Sequence, residues 1–233
     1  MHYIFDVDGT LTPSRGKMDP TFAKFFEEFC DKNKVYLVTG SDKPKTIEQV
    51  GQTIYNKCQK VYQCSGSEVY NGNTVCYYDP WKIDESSYNW LVDTLDESDF
   101  SIRTGNHIEQ RVGMVNFSVV GRNANAEERK AYVDYDSWNG ERRKIADEFN
   151  ETFPHLQATV GGETGIDISK YGADKSQILR DFDRKDSITF FGDAMFEGGN
   201  DYPLKAALEK RDYYSLCVGV ESWVYTYNKL KEL

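Results

Sequence analysis

The carboxylates most suited to chemistry are Asp6 and Asp8, in the stretch Tyr3-Ile4-Phe5-Asp6-Val7-Asp8-Gly9-Thr10-Leu11. A buried strand that delivers acids at its carboxyl end matches the ligand crevice of open parallel α/β sheets, where the strand fixes the side chains and the next loop closes round the ligand. The competing reading is a turn, because Asp-Gly between apolar runs is a common hairpin signal. Other candidates follow later apolar runs. Thr39 and Ser41 come after Val35 to Val38, Lys175 stands in Asp174-Lys175-Ser176, and Asp193 and Asp201 bracket a loop of acids and glycines after Ser187 to Phe191. Acids gathered at a strand edge suit a hard cation such as Mg2+, which takes few protein carboxylates and leaves its other positions to water and phosphate oxygens. A carboxylate can also attack phosphorus to give an aspartyl phosphate. Lysine offsets phosphoryl charge, and small hydroxyls donate hydrogen bonds to phosphoryl oxygens. Singly, Lys175 reads as a surface residue and Thr39 as a helix cap. Taken together and in this order, the residues point to phosphoryl transfer.

These residues need elements to position them. Asp19-Pro20 has the form of an N-cap with proline at the first helical position, and Phe22, Phe25, Phe26 and Phe29 follow at helical spacing as core. After Thr39-Gly40-Ser41-Asp42 comes a helical stretch through Ile47, Val50 and Ile54. Strand, polar loop and helix recur, which predicts parallel strands with their loops on a common edge and places Thr39 and Ser41 beside Asp6. Lys60 to Tyr78 reads as short strands with turns at Ser65-Gly66 and Asn71-Gly72. Asp174-Lys175-Ser176 opens a helix, and the chain closes with a strand (Tyr214 to Val218) and a helix (Glu221 to Leu230).

Between these parts the pattern changes. A helix is predicted from Asp84 to Leu95, followed by antiparallel strands within Ile102 to Val120. A two-residue hairpin turn at Val112-Gly113 pairs Arg111 with Met114; Arg111, Asn116 and Arg122 then share one face, while Ile108, Val115, Phe117 and Val119 share the other. A helical stretch from Ala126 to about Phe153, broken near Asn139-Gly140, covers the apolar face; Asn125 and Glu128 begin it as a capping box. Alternation returns at Gly165-Ile166-Asp167-Ile168-Ser169, with Asp167 on the polar side. The expected domains are therefore a catalytic core of residues 1–81 and 171–233 and a substrate-binding cap of residues 82–170.

Composition limits the partners. With 28 basic and 38 acidic residues the formal net charge is −10, which argues against nucleic acid and anionic membranes, since both need a basic footprint. The five cysteines show no ligand or disulfide spacing and read as reduced thiols. No apolar run is long enough to cross a bilayer, and the first residues enter a strand carrying an acid instead of a signal peptide, so a cytoplasmic protein is expected.

Phe5-Asp6-Val7-Asp8-Gly9-Thr10-Leu11-Thr12, Thr39-Gly40-Ser41-Asp42, Asp174-Lys175 and Gly192-Asp193 with Asp201 resemble, in order, the four motifs of the haloacid-dehalogenase-like phosphotransferases. Ile108-Glu109-x-Arg111, Gly113-Met114-x-Asn116, Ser118, Gly121-Arg122 and Glu127-Glu128-Arg129 resemble the cap of the eukaryotic-type phosphomannomutases, as does Leu11-Thr12-Pro13-x-Arg15. The resemblance covers nearly the whole chain and implies an α/β fold: a Rossmann-like parallel-sheet core with an inserted α+β cap of antiparallel sheet and helices. It implies Asp6 as nucleophile, Asp8 as acid/base, Lys175 in the catalytic set, and Mg2+ held among Asp6, Asp8, Asp193 and Asp201. Substrate would be bound by Arg15, Thr39, Ser41, Arg111, Asn116, Arg122, Arg129 and Asp167.

The chain departs from the family pattern at three places. Gly165 replaces a phosphate-binding serine, Lys205 to Leu208 replace the acids of a second metal site, and Thr39 replaces a glycine. The expected activity is a Mg2+-dependent hexose-phosphate mutase converting mannose 6-phosphate to mannose 1-phosphate, with a hexose bisphosphate activator and a homodimer formed through the cap. Its rivals are a sugar-phosphate phosphatase of the same fold and a non-catalytic phosphosugar sensor. Asp8 argues against the sensor, because a binder needs no general acid.

Overall fold

The computed structural model describes residues 1–211 and 214–233. Asp212 and Tyr213, within the expected core range 171–233, lie outside the described residues. The chain divides into two compact units, Met1–Tyr78 with Ala173–Leu233 and Asp79–Gly172.

In the first unit, β1 (His2–Phe5) lies between β2 (Lys34–Val38) and β10 (Ile188–Gly192), parallel to both, with Phe5 opposite Leu37 and Phe191. The sheet continues through β3 (Lys60–Gln63), then antiparallel β4 (Glu68–Asn71) and β5 (Thr74–Tyr78), and on the other side through β11 (Ser215–Gly219). Alternate residues of β1 face opposite layers. Tyr3 and Phe5 pack with the aromatics of α1 (Pro20–Lys32) and with α8 (Trp223–Lys231), whereas Ile4 packs with Ile178, Phe182, Leu204 and Leu208. Leu204 and Leu208 belong to α7 (Tyr202–Glu209), so helices cover both faces. The crossovers run one way from β1 to β3 and the other way to β10 and β11. The strand order therefore reverses at β1, and the adjoining loops are where this class of sheet places its ligand.

Several local expectations changed. The stretch through Ile47 and Ile54 is two helices, α2 (Lys43–Val50) and α3 (Gln52–Lys57), because Gly51 takes φ +82° and ends the first by donating to the Ile47 carbonyl. Lys175–Asp181 is a 3-10 helix capped by Asp174, not an α-helix.

The second unit is the antiparallel sheet β6-β7-β9-β8, formed by β6 (Ile108–Arg111), β7 (Met114–Phe117), β8 (Leu156–Gly161) and β9 (Gly165–Lys170). The hairpin pairs Arg111 with Met114. Val115, Phe117, Ala158, Ile166 and Ile168 form a core with Leu91 of α4 (Glu85–Glu97), Tyr132 of α5 (Ala126–Asn139), and Ile145 and Phe149 of α6 (Glu141–Thr152). Asn125 makes the capping box with Glu128, and Gly140, at φ +62°, breaks the helical run. β7 ends at Phe117, so Arg122 follows the sheet in a turn, and residues 102–107 are not strand either. There Arg103 donates to the carbonyls of Phe100, Leu95 and Ser98 and ties the segment to the end of α4.

Candidate active site

The first unit gathers acids round a lysine. The Asp6 amide donates to the Phe191 carbonyl at 2.9 Å, so the pairing of β1 with β10 runs one residue past the strand. Lys175, only 1% exposed, donates from Nζ to Asp6 Oδ1 at 2.5 Å and to Asp201 Oδ1 at 2.7 Å. Asp201 is fully buried, and its Oδ2 accepts from the Ala194 amide at 3.1 Å, which folds the loop after β10 back on itself. Asp193 reaches the same place from the other end of that loop. Gly9 takes φ +81°, and a Cβ there would come within 2.2 Å of Asp193 Oδ2, so only glycine lets the first loop pass the acid.

Oxygens of Asp6, Asp193 and Asp201 all lie within 4.8 Å of one another. This set of hard carboxylate donors, with one ammonium as partial counter-charge, fits a divalent cation such as Mg2+. Burial pushes the Asp6 carboxyl up to about 7 against the pull of Lys175. Burial also disfavours the Lys175 ammonium, but Asp6 and Asp201 outweigh it and keep the lysine charged. Asp193 is raised by burial and by repulsion from Asp201.

The Asp8 side chain, also in the expected metal set, lies outside that group of side-chain oxygens. Its Oδ1 accepts from the Arg15 amide at 2.6 Å and from Gln49 Nε2 at 2.8 Å. Arg15, at φ +57°, gives Asp8 its main chain, and its own carbonyl accepts from Lys45 Nζ at 3.2 Å. Thr39 and Ser41 leave the sheet at the same edge as Asp6, but neither hydrogen-bonds it among the described residues. Thr39 Oγ1 instead accepts from the Ser41 amide at 3.0 Å, while the main chain of the turn after β3 donates to both their carbonyls.

The second unit presents a polar row across its sheet. Glu109, Asn116, Asp167 and Thr159 stand opposite one another on successive strands. Asn116 Nδ2 donates to Asp167 Oδ1 at 2.6 Å, and its buried Oδ1 has no hydrogen-bond partner among the described residues. A Cβ on Gly165 would lie 2.6 Å from Asn116 Nδ2, so the asparagine amide occupies the space a serine there would need. Arg111 and Arg122 both contact Glu109, and Arg129 donates to Glu163 at 2.7 Å. Burial raises Asp167 despite Asn116 and the nearby arginines, and burial together with Arg111 lowers Arg122.

Two residues at these sites were not singled out from the sequence. Gln49 is 2% exposed on the buried stripe of α2, and a glutamine next to Val50 on an apolar face is the signal that could have marked it. Glu109 stood in the motif Ile108-Glu109-x-Arg111 but was given no role.

The eukaryotic phosphomannomutase family model matches residues 22–223, beginning beyond Asp6 and Asp8. A phosphomannomutase of Spinacia oleracea is 36% identical over 212 residues, covering 88% of this chain and 86% of the relative. Among solved structures, an IMP-nucleotidase of Plasmodium falciparum superposes with a TM-score of 0.63 at 16% identity, over 98% of this chain and 66% of that one, so the chain spans just under two thirds of its length. A haloacid dehalogenase-like hydrolase from Bacteroides thetaiotaomicron superposes with a TM-score of 0.57 at 12% identity, over 99% and 98% of the two chains. At such identities the structures speak for the fold alone. The match in sequence runs through both units, and the chain belongs to the eukaryotic phosphomannomutase family, built on a haloacid-dehalogenase-like fold.

Proposed function

We propose that the chain acts as a phosphomannomutase, moving a phosphoryl group between the 6- and 1-positions of mannose by way of phospho-Asp6, with Mg2+ as cofactor. The observation that carries this reading is the buried ammonium of Lys175 between Asp6 and Asp201. A lysine taken wholly out of water to grip an acid at a strand end is expensive in solvation, and it suits an acid that must be aimed and kept reactive.

With Oδ1 on Lys175, attack on phosphorus falls to Asp6 Oδ2. As that bond forms, the sugar oxygen leaves with a proton from Asp8, which Gln49 and the Arg15 amide hold in place. In the second half-reaction the accepting hydroxyl gives its proton to Asp8 and takes the phosphoryl group from Asp6. Asp6, Asp193 and Asp201 would hold the cation, which when bound polarises the phosphoryl oxygens as a Lewis acid. Thr39 and Ser41 would donate to the reacting phosphoryl group. Arg15, Arg111, Arg122, Arg129, Asn116 and Asp167 would hold the sugar and its distal phosphate.

On this reading the unit carrying Asp6 is the catalytic core and the inserted unit is the cap. A hexose bisphosphate primes Asp6, and two chains pair through their caps. No helix among the described residues is long and apolar enough to cross a membrane, and with the cysteine spacing this supports a cytoplasmic enzyme. The test is turnover of mannose 1-phosphate with Mg2+, with and without a hexose bisphosphate, following both mannose 6-phosphate and free phosphate. Bisphosphate-dependent 6-phosphate is the expected product. Release of phosphate alone would make the chain a phosphatase.

A further inference from the structure

Glu109 makes contacts that the reaction outlined above does not use. Its Oε2 accepts from Arg111 Nε at 2.7 Å and from Arg111 Nη2, and lies 3.2 Å from Arg122 Nε. A single oxygen therefore joins both guanidinium groups. Each contacts it through Nε, so Arg122 keeps both terminal amines unspent by this contact. The acid is held by the sheet and not by a mobile loop, since Glu109 stands opposite Asn116, which stands opposite Asp167. All three partners are about one-third exposed, at 35%, 35% and 34% for Glu109, Arg111 and Arg122, so their charges act through a partly solvated medium.

A carboxylate in this position has two effects on an incoming phosphate. It orients the two forks, which favours binding. It also contributes a negative charge in direct contact with both cations, which opposes binding. A mutase must take up a sugar phosphate, release it and take it up reversed, so grip beyond a certain strength slows turnover instead of helping it. Burial and the neighbouring Arg111 already disfavour the charge on Arg122, and Glu109 is the leading contact that restores it.

We propose that Glu109 is a positioning residue that joins Arg111 and Arg122 into one fork and tempers its hold on phosphate, so that hexose phosphates leave the cap readily. This rests on the reading of those arginines as the distal-phosphate site. Glu109→Gln keeps the size and the hydrogen-bond acceptor and removes the charge. In the full-length chain with Mg2+, calorimetry of mannose 1-phosphate in an Asp6→Asn background, where no turnover occurs, should show Kd falling roughly three- to tenfold. In the native background KM should fall with it while kcat does not rise. A merely structural Glu109 would instead give a raised KM and Kd.

Arg122→Ala separates the two levels of the argument. If it weakens mannose 1-phosphate binding by at least about tenfold while Glu109→Gln leaves Kd unchanged or raises it, the Glu109 proposal is overturned and the cap site stands. If Arg122→Ala leaves Kd unchanged, the cap reading fails and takes the proposal with it. Should Glu109→Gln not fold, Glu109→Asp withdraws the charge by one methylene. It should tighten Kd in the same direction by a smaller factor, and no tightening there overturns the proposal equally.

Discussion

Asp6 and Lys175 form an ion pair that is closed to solvent: Oδ1 and Nζ are 2.5 Å apart, with side-chain exposures of 4% and 1%. Removing one member of such a pair leaves an uncompensated charge, at a cost of about 3–5 kcal/mol. Lys175→Met should therefore lower unfolding free energy in urea by that amount when Mg2+ is chelated, because Asp6 and Asp201 then face each other without a cation. Saturating Mg2+ should restore part of the loss, since a cation that binds only the folded chain stabilises it by mass action. Equal urea midpoints for variant and native chain in chelator would show that the lysine does not balance these acids.

Asp6 and Asp8 should separate in their effects. Asp6→Asn removes the attacking oxygen's charge and should abolish the acid-stable, hydroxylamine-sensitive phosphoenzyme. Asp8→Asn should keep phosphoenzyme formation from a donor with a good leaving group and lose roughly 10²–10⁴-fold with a sugar phosphate, where proton transfer matters most. Comparable losses with p-nitrophenyl phosphate and with mannose 1-phosphate would remove Asp8 from the acid role.

The Asp167 carboxyl lies above its ordinary 3.8 because it is buried. A raised folded pKa means that the folded chain holds a proton at pH values where the unfolded chain has lost it. The contribution to stability is thus complete below the unfolded value and lost as pH rises through the folded one. Above both, the ionised acid weighs against folding. Asp167→Asn, which keeps an acceptor for Asn116, should melt higher than the native chain at pH 7 and 8, with the gap closing towards pH 3, while activity on hexose phosphates falls. A gap that widens on acidification would reverse the sign argued here.

Gly165→Ser would restore the hydroxyl that this chain lacks, but not its contact. The new Cβ would arrive 2.6 Å from Asn116 Nδ2, and relieving it requires Asn116 to leave Asp167. We expect a loss of about 1–3 kcal/mol in stability and no gain in kcat/KM. The double variant with Asn116→Ala should recover part of the stability. Full stability in the single variant would mean that Asn116 moves aside freely.

Continuous apolar runs made the strands round Asp6, Thr39 and Asp193 legible, because both faces of that sheet are covered, while alternation marked the face shared by Arg111 and Asn116, where only one side of the sheet is buried. Leu156–Gly161 was not legible as a strand: only Leu156 and Ala158 are buried along it, too thin an alternation. Helix α7 was hidden by Pro203 and the acid-rich loop before it. At the site, type and order were enough to assemble Asp6, Lys175, Asp193 and Asp201. The turning of the Asp8 carboxylate towards Gln49 was not visible, because it depends on Arg15 adopting a left-handed conformation for which arginine carries no sequence signal.

The placing of β1 between β2 and β10 bears on how the chain emerges from the ribosome. Its partner β10 begins at Ile188, so at about 5–20 residues per second roughly 10–40 s of synthesis separates the two strands. During that interval β1 has β2 on one side and an open edge on the other, while Asp79–Gly172, contiguous in sequence, can complete its own sheet. The inserted unit should become protease-resistant on stalled nascent chains that end shortly after it has cleared the exit tunnel. The aromatic-rich edge at Tyr3 and Phe5 would then be the surface most in need of a chaperone until Phe191 arrives beside it.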